Sequence, residues 1–358
     1  MKFTYSQLAS KRIFGLDLVR SLSVCAVILA HSGHQFIAGF RYGVIAIEYF
    51  FVMSGFLVGE MLVREFYNGS TPKILLNFWI KRWFRTLPLY YLILILKIIF
   101  SQPFIGWKAW PYFLFLQNNL GGVEFFAVSW TLVIEEWFYL IMPLVIFLFF
   151  RKGITRNKFI AFSLLVIIGE NILRILYVEY KDVPWGGIVG NFPFRFDAFM
   201  IGVFIAFIKV DYKRIFDYLA KPAVYAGIML VTLGYIVLFA YYDGGMLASK
   251  TYWTRTIGFS LTSILLALQM PFLNNSTFLN SISDKNLLKQ GLTWLSLLSY
   301  PMYLVHMDVL HFVSETWHIA NEWLRFGIAF LIIIAISYLL IVFFHQPVTE
   351  SRKKFLIK

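Results

Sequence analysis

The sequence predicts an all-α, polytopic bundle of about ten membrane-spanning helices with both termini in the cytoplasm. Of its 358 residues, 59% are hydrophobic and 20% are aromatic, whereas only 14% are charged. A soluble domain usually carries about 25% charged residues, so this composition excludes that class. The apolar residues also fall into separate windows of about 20 residues, the length that crosses a bilayer as a helix.

Ten such windows follow one another along the chain. They lie near residues 16–38, 43–63, 86–101, 130–150, 159–178, 193–209, 223–242, 253–272, 292–313 and 323–345. Lys and Arg gather in alternate loops, the bias that keeps a loop in the cytoplasm. The basic loops are the two ends of the chain and residues 64–85, 151–158, 209–221 and 285–289. This alternation orients both termini inward.

Domain organisation is predicted to be simple: one integral-membrane domain over residues 1–358, without an extracytoplasmic soluble domain. We find no repeat, low-complexity tract or linker. The first helix is expected to be retained, because Asp17 and Arg20 interrupt the apolar region that a signal peptide needs. The net charge of +13 belongs to scattered topology signals, so a nucleic-acid partner is not expected.

The first helix carries unusual polar residues for a membrane segment, namely Asp17, Arg20, His31 and His34. Each charge at the bilayer centre costs roughly 2.5 to 3.5 kcal/mol, so these side chains need partners or a polar cavity. Arg20 and His31 are eleven residues apart, which places them within about 20° on one face and about 16 Å apart along the helix. This stripe is the first candidate site.

The segment before the third window contains a turn at residues 68–72 and then a basic, Trp-rich run. It predicts a helix at the inner membrane interface that continues into the third span. Arg82 and Arg85 share a face there, and two guanidinium groups suit a phosphate. The alternative is that they anchor lipid headgroups.

Further polar residues lie in the outer halves of later helices. Glu135 and Glu136 are on the fourth helix, Arg195 and Asp197 open the sixth, and His306 follows a proline in the ninth. By depth these residues are candidates for contact with a substrate that arrives from outside.

Several of the polar residues on the helices are also candidates for structural roles. Glu170 and Arg174 have the spacing of a helical ion pair, and Arg195 could pair with Asp197. His34 and His306 are expected to form hydrogen bonds between helices. Cys25, the single cysteine, lies about 120° from the His31 face and is a poor acyl carrier.

Seven motifs in order resemble the acyltransferase-3 family, multi-pass bacterial membrane enzymes that O-acylate surface glycans. They are GLDLVR (15–20), the histidine at 31, EYFFVMSGFLVG (48–59), KRWFR (81–85), SWTLVIEEWFYL (129–140), RFDAF (195–199) and LSYPMYLVH (298–306). The resemblance implies that His31 is the catalytic histidine, with Glu135 as the motif carboxylate. It also implies that Arg20, Arg82 and Arg85 serve the acyl-CoA donor.

The chain departs from this family in two respects. His345 and Gln346 precede Pro347 where many members have an acidic residue. The hydrolase-like outer domain of some members is also missing, so the chain is expected to act alone or with a separate partner.

The chemistry agrees with these residue types. Acyl transfer to a sugar hydroxyl needs a base with a pKa near neutrality, and histidine has one. Glu135 would hold the ring tautomer, as the acid does in a serine hydrolase triad. Acceptor contacts are assigned to Glu136, Arg195, Asp197 and His306. No ligand spacing on one helix supports a metal site.

The leading hypothesis is therefore a bacterial inner-membrane O-acyltransferase. It is expected to move an acyl group, most simply acetyl, from cytosolic acyl-CoA to a hydroxyl of a cell-surface or lipid-linked glycan. The enzyme itself is surrounded by membrane lipids and acts as a monomer or a homo-oligomer. The alternative is a transporter or flippase for a lipid-linked sugar or another polar substrate, which would also use intramembrane charges. The absence of an inverted repeat in the sequence counts against it.

Overall fold

The computed structural model describes residues 12–32, 40–66, 69–101, 105–120, 122, 124–242 and 250–357, where every regular element is helical. The main helices are numbered α1 (Phe14–Ala30), α2 (Phe40–Phe66), α3 (Pro72–Phe100), α4 (Trp130–Phe149), α5 (Arg156–Lys181), α6 (Phe196–Asp211), α7 (Lys213–Leu219), α8 (Pro222–Tyr242), α9 (Ile257–Ala267), α10 (Met270–Asn275), α11 (Leu287–Thr316) and α12 (Glu322–Leu340). A π-helical turn at Ile341–His345 joins α12 to the last helix, Gln346–Ser351. His34 lies outside the described residues.

Seven described helical stretches are long and apolar enough to cross a membrane, which confirms a multi-pass helical protein. They are Gly43–Glu65, Pro72–Phe100, Glu124–Phe149, Arg156–Lys181, Pro222–Phe239, Ile257–Asn275 and Glu322–Lys354. The first, sixth and ninth predicted windows hold α1, α6 and α11. Helices α1 and α6 have only 17 and 16 residues, and α11 carries more polar side chains. The total of about ten spans and the side of the termini stay predictions.

The helices pack into two compact units. The first unit comprises Met1–Val63, Arg156–Val189 and Phe194–Ser299, and the second comprises Arg64–Thr155, Gly190–Pro193 and Tyr300–Lys358. The single membrane domain over residues 1–358 stays a prediction.

In the first unit, α2 and α6 approach each other at glycines. A Cβ on Gly55 would lie 2.1 Å from the carbonyl oxygen of Phe199, and one on Gly202 would lie 2.1 Å from that of Val52. Such contact needs residues without side chains, as is usual where membrane helices cross closely. The crossing places the start of α6 beside α2, and buried apolar residues such as Phe56 pack around it.

In the second unit, the expected interfacial helix and the third span form one helix, α3, of 29 residues. Its first turn is capped by Thr71, whose side chain accepts a hydrogen bond from the Ile74 N–H at 3.3 Å, and Pro72 occupies the first turn. The helix continues through Pro88.

Candidate functional site

His31 directly follows the last residue of α1 and is half-buried. Its ring Nδ1 lies 2.8 Å from the carbonyl oxygen of Val27. A carbonyl only accepts, so Nδ1 carries the proton and the lone pair of the neutral ring is on Nε2. The acceptor on Nδ1 is thus a backbone carbonyl of the same helix, whereas the sequence suggested the Glu135 carboxylate. This contact fixes the tautomer of the neutral ring.

Arg20 lies on the same helix, half-buried and eleven residues before His31. The rise of an α-helix separates the two positions by about 16 Å. Asp17 has structural partners, because it forms a salt bridge with Arg12 and accepts the Ser296 hydroxyl at 2.7 Å. Arg20 and His31 stay the predicted site residues of α1.

Arg82, Glu135 and Tyr139 form a cluster in the second unit, here called the arginine cluster. The guanidinium carbon of Arg82 lies 3.9 Å from the centre of the Tyr139 ring, and a guanidinium nitrogen lies 3.6 Å from a Glu135 oxygen. The Tyr139 hydroxyl donates to the same oxygen. The Arg82 and Glu135 side chains are only 13% and 19% exposed, so ring and carboxylate together fix the cation.

Tyr139 was not singled out from the sequence. It lies one helical turn after Glu135, and that i,i+4 spacing was the available signal. Its backbone is held as well: Pro143 has no N–H to donate to the Tyr139 carbonyl, and the Trp79 indole N–H donates to it instead at 3.1 Å.

Glu136 is buried next to this cluster. One of its carboxylate oxygens accepts the Thr86 hydroxyl at 2.6 Å. The other, Oε2, has no hydrogen-bond partner among the described residues. Because a buried polar atom is costly without a partner, Oε2 is a place where a proton, a water or a substrate hydroxyl can bind.

Arg82 and Arg85 have different surroundings despite their shared helix. The Arg82 side chain is held in the arginine cluster, whereas Arg85 is exposed. In the pair that is predicted to bind a phosphate, the Arg82 guanidinium is therefore fixed by its neighbours and the Arg85 side chain is exposed. Their joint action on a phosphate stays a prediction.

Arg195 is fully buried at the start of α6 and forms a salt bridge with Glu48 of α2. Glu48 also accepts the Ser263 hydroxyl. The guanidinium carbon of Arg195 lies 4.4 Å from the centre of the Phe259 ring. Its Nε and Nη1 have no hydrogen-bond partner among the described residues. The expected pairing of Arg195 with Asp197 is wrong, because the close crossing of α2 and α6 brings Glu48 to the guanidinium.

Asp197 is paired with Arg174 at 2.7 Å, and both side chains are fully buried. Glu170 accepts hydrogen bonds from the backbone N–H groups of Phe196 and Asp197, at 2.9 and 2.7 Å. The expected ion pair between Glu170 and Arg174 is therefore replaced. The side-chain oxygens of Glu170 satisfy the first N–H groups of α6, which have no partner within the helix. Acceptor binding by Arg195 and Asp197 stays a prediction.

His306 is fully buried in the part of α11 that belongs to the second unit. Its Nδ1 lies 2.8 Å from the Tyr303 carbonyl, so the ring donates a hydrogen bond within its own helix. The Tyr303 hydroxyl lies 2.8 Å from the Thr131 hydroxyl. Asp308, two residues on, is exposed and bridges to Lys97.

The predicted site residues divide between the two units. His31, Arg20, Arg195 and Asp197 belong to the first, and Arg82, Arg85, Glu135, Glu136 and His306 belong to the second. The structure brings Arg82 and Glu135 together and leaves the pairing of His31 with Glu135 as a prediction. Within the described ranges, no group of three or more His, Cys, Asp or Glu side chains could hold a metal ion.

Comparison with known proteins agrees with the motifs. Residues 13–342 match the family model of the acyltransferase-3 acyltransferase domain. The O-acetyltransferase OatA of Staphylococcus aureus strain NCTC 8325 is 26% identical over 325 residues, which are 84% of this chain and 51% of OatA. A putative O-acetyltransferase of S. aureus strain COL is 26% identical over 324 residues, with the same shares covered.

The chain thus spans about half the length of the curated relatives it matches. No solved structure matches it. Because the family model covers most of the sequence, from the end of the N-terminal segment into the π-helical turn, the chain belongs to the acyltransferase-3 family.

Proposed function

We propose that the protein is a membrane O-acyltransferase that moves an acyl group, most simply acetyl, from cytosolic acyl-CoA to a hydroxyl of a surface or lipid-linked glycan. The observation that carries the proposal is the orientation of His31, whose Nδ1 is bound by Val27 so that Nε2 has the lone pair. Membership of an acyltransferase family and relatives named O-acetyltransferases support the reaction class and the acetyl group.

In the proposed reaction, Nε2 of His31 takes the proton of the acceptor hydroxyl as its oxygen attacks the thioester carbonyl carbon. A tetrahedral intermediate forms, the carbon–sulfur bond breaks, and the CoA thiolate leaves. The imidazolium then returns the proton to the sulfur, which regenerates neutral His31. Glu135 keeps its proposed catalytic role, which is to stabilise the positive charge of the imidazolium.

The donor is assigned to the cytosolic arginines. Arg20, Arg82 and Arg85 would bind the phosphates of CoA, and the pantetheine arm would run along α1 from Arg20 towards His31. The separation of about 16 Å on one helix face suits this extended arm. With both termini inside and about ten spans in the inner membrane, only the acyl group crosses the bilayer.

The acceptor would approach from the outer side. The proposed contacts are Glu136, Arg195, Asp197 and His306. Oε2 of Glu136, Nε and Nη1 of Arg195 and Oδ1 of Asp197 have no hydrogen-bond partner among the described residues, so each can bind a sugar hydroxyl. No comparison favours the transporter alternative.

The first prediction tests the base. Purified protein in proteoliposomes should transfer labelled acetyl from acetyl-CoA to a glycan fraction. In His31→Ala and His31→Gln the rate should fall by about 10²- to 10⁴-fold, because the proton acceptor is lost. His311→Ala, on the exposed part of α11, is the matched control and should keep the wild-type rate.

A well-inserted His31→Ala protein that keeps more than about half of the wild-type rate would remove His31 from the mechanism, since general-base catalysis is worth far more than that. Uptake of a lipid-linked sugar without transfer of label would instead support a transporter.

A further inference from the structure

The C-terminal part of the chain is bound to the turn of α3 that carries Arg82 and Arg85. Pro88 lies inside α3 and has no N–H, so the carbonyl of Phe84, four residues earlier, lacks its usual helical donor. The Thr349 hydroxyl donates to the His345 carbonyl of its own helix at 2.7 Å and shares the same proton with the Phe84 carbonyl oxygen at 3.3 Å. A side chain of the last helix thus supplies the longer branch of a shared hydrogen bond where the proline removed a backbone donor.

The next two carbonyls of α3 accept side-chain hydrogen bonds as well. The Nε2–H of His345 donates to the Arg85 carbonyl at 2.8 Å, and the Tyr300 hydroxyl donates to the Thr86 carbonyl at 2.7 Å. Three consecutive carbonyls are therefore bound by three side chains from outside the helix. All of these residues belong to the second unit.

The chain beyond these side chains follows the same half of α3. The side-chain amide of Asn77 donates to the Ile357 carbonyl at 3.0 Å and accepts from the Ile357 N–H at 2.8 Å. The rings of Phe84 and Phe355 pack with their centres 5.1 Å apart. These contacts hold the C-terminal segment against α3 and keep the three donors in place.

We propose that Tyr300, His345 and Thr349, here called the carbonyl clamp, are positioning residues for the donor site. A helix is prone to bend where proline frees a carbonyl, and any bend there redirects the side chains of the adjoining turn. The clamp fixes this turn, so that Arg82 stays in the arginine cluster and Arg85 keeps its direction towards the CoA phosphates. This inference rests on the proposed function, because it takes the donor role of the two arginines from it.

The clamp also gives His345 a role at the position where the chain departs from the family. The π-helical turn Ile341–His345 widens the helix there, and such turns are frequent at functional sites. The ring of His345 also lies close to the Tyr300 ring, with 6.2 Å between centres. An imidazole N–H donor suits a backbone carbonyl, which a carboxylate at this position could not bind unless protonated.

The first test measures CoA binding by calorimetry on the purified full chain in nanodiscs. His345→Phe keeps a ring and removes the donor, so the dissociation constant for CoA should rise about three- to tenfold, as for the loss of one hydrogen bond. His345→Gln keeps an N–H donor and should restore binding. The acceptor KM should stay unchanged in both, and His311→Phe is the exposed control.

The second test uses the proline. Thr349→Val should weaken CoA binding in the wild-type background, because the Phe84 carbonyl loses its donor. In a Pro88→Ala background the backbone N–H at position 88 can donate to that carbonyl, so Thr349→Val should then have no further effect. Equal effects in both backgrounds would overturn the clamp, as would unchanged CoA binding in folded His345→Phe.

The outcomes separate the clamp from the proposed function. If clamp variants bind CoA more weakly but no variant or wild type transfers acetyl, the function fails and the clamp stands. If the wild type transfers acetyl and clamp variants bind CoA normally, the clamp fails and the function stands. A wild type that does not bind CoA removes the donor assignment and the clamp with it.

Discussion

At the residue scale, two pairs of buried charges in the first unit join different helices. Arg195 with Glu48 and Arg174 with Asp197 are at most 3% exposed. An isolated charge in the bilayer centre costs roughly 2.5 to 3.5 kcal/mol, and a partner at hydrogen-bond distance offsets much of that. These four residues therefore hold the helices of the unit in register.

Arg195→Met tests this structural role. The substitution leaves Glu48 buried without its partner, so the free energy of unfolding should fall by about 3 to 5 kcal/mol. The double variant Glu48→Gln with Arg195→Met should recover most of the loss. Unfolding is followed by denaturant titration in micelles. Lys250→Met is the control and should cause no measurable loss, because Lys250 and Asp182 form an exposed pair.

A different result would reassign Arg195. If Arg195→Met is as stable as the wild type and raises the acceptor KM, the arginine contacts the acceptor and is not a structural partner of Glu48.

At the element scale, the crossing of α2 and α6 depends on glycine. Gly202 faces the backbone of Val52 with no room for a Cβ, whereas nothing lies within 4 Å of a Cβ built on Gly234 of α8. Both glycines lie within helices, but their surroundings differ. Gly202 permits close packing of α6 against α2, whereas Gly234 only lowers the helix propensity of α8.

Gly202→Ala should lower the free energy of unfolding by about 1 to 3 kcal/mol or more, because the helices must separate to admit a methyl group. Gly234→Ala should be neutral or stabilise the protein by up to about 1 kcal/mol. Thermal unfolding of both variants in the same detergent provides the comparison. Similar melting temperatures for the two variants would contradict the crossing.

At the scale of the whole molecule, the exposed surface of the spans is apolar. The side chains of Leu230, Val231, Val237 and Leu238 on α8 are all more than half exposed. Water would make such a surface unfavourable, whereas lipid accepts it. Loops at the ends of the spans must then lie on one side of the membrane or the other.

Cysteine labelling tests the topology and the proposed path together. On a Cys25→Ser background, cysteines at positions 20 and 353 should react with an impermeant thiol reagent added from the cytosolic side. Cysteines at positions 31 and 250 should react from the outer side. Positions 250 and 353 are exposed and serve as the reference for each side. If cysteines at positions 20 and 31 react from the same side, the proposed path along α1, with the donor entering from the cytosol and the acceptor from outside, would be excluded.

The sequence by itself determined the class of the molecule, its helices and most of its candidate residues. These follow from local properties: an apolar window must become a helix in a bilayer, because each backbone group needs a partner within the segment. The eleven-residue spacing of Arg20 and His31 is likewise a property of the chain. His31 could therefore be named before any coordinates, as could the arginines of α3.

Only the tertiary structure decided which groups these residues meet. Arg174 pairs with Asp197 on another helix although Glu170 lies one turn away, because Glu170 binds the N–H groups at the start of α6. The carbonyl that Pro143 leaves without a helical donor is bound by the Trp79 indole, and the one that Pro88 leaves shares the Thr349 hydroxyl with the His345 carbonyl; no local pattern names such donors. Partners of this kind depend on how helices distant in sequence pack, and a linear pattern of residues does not contain that geometry.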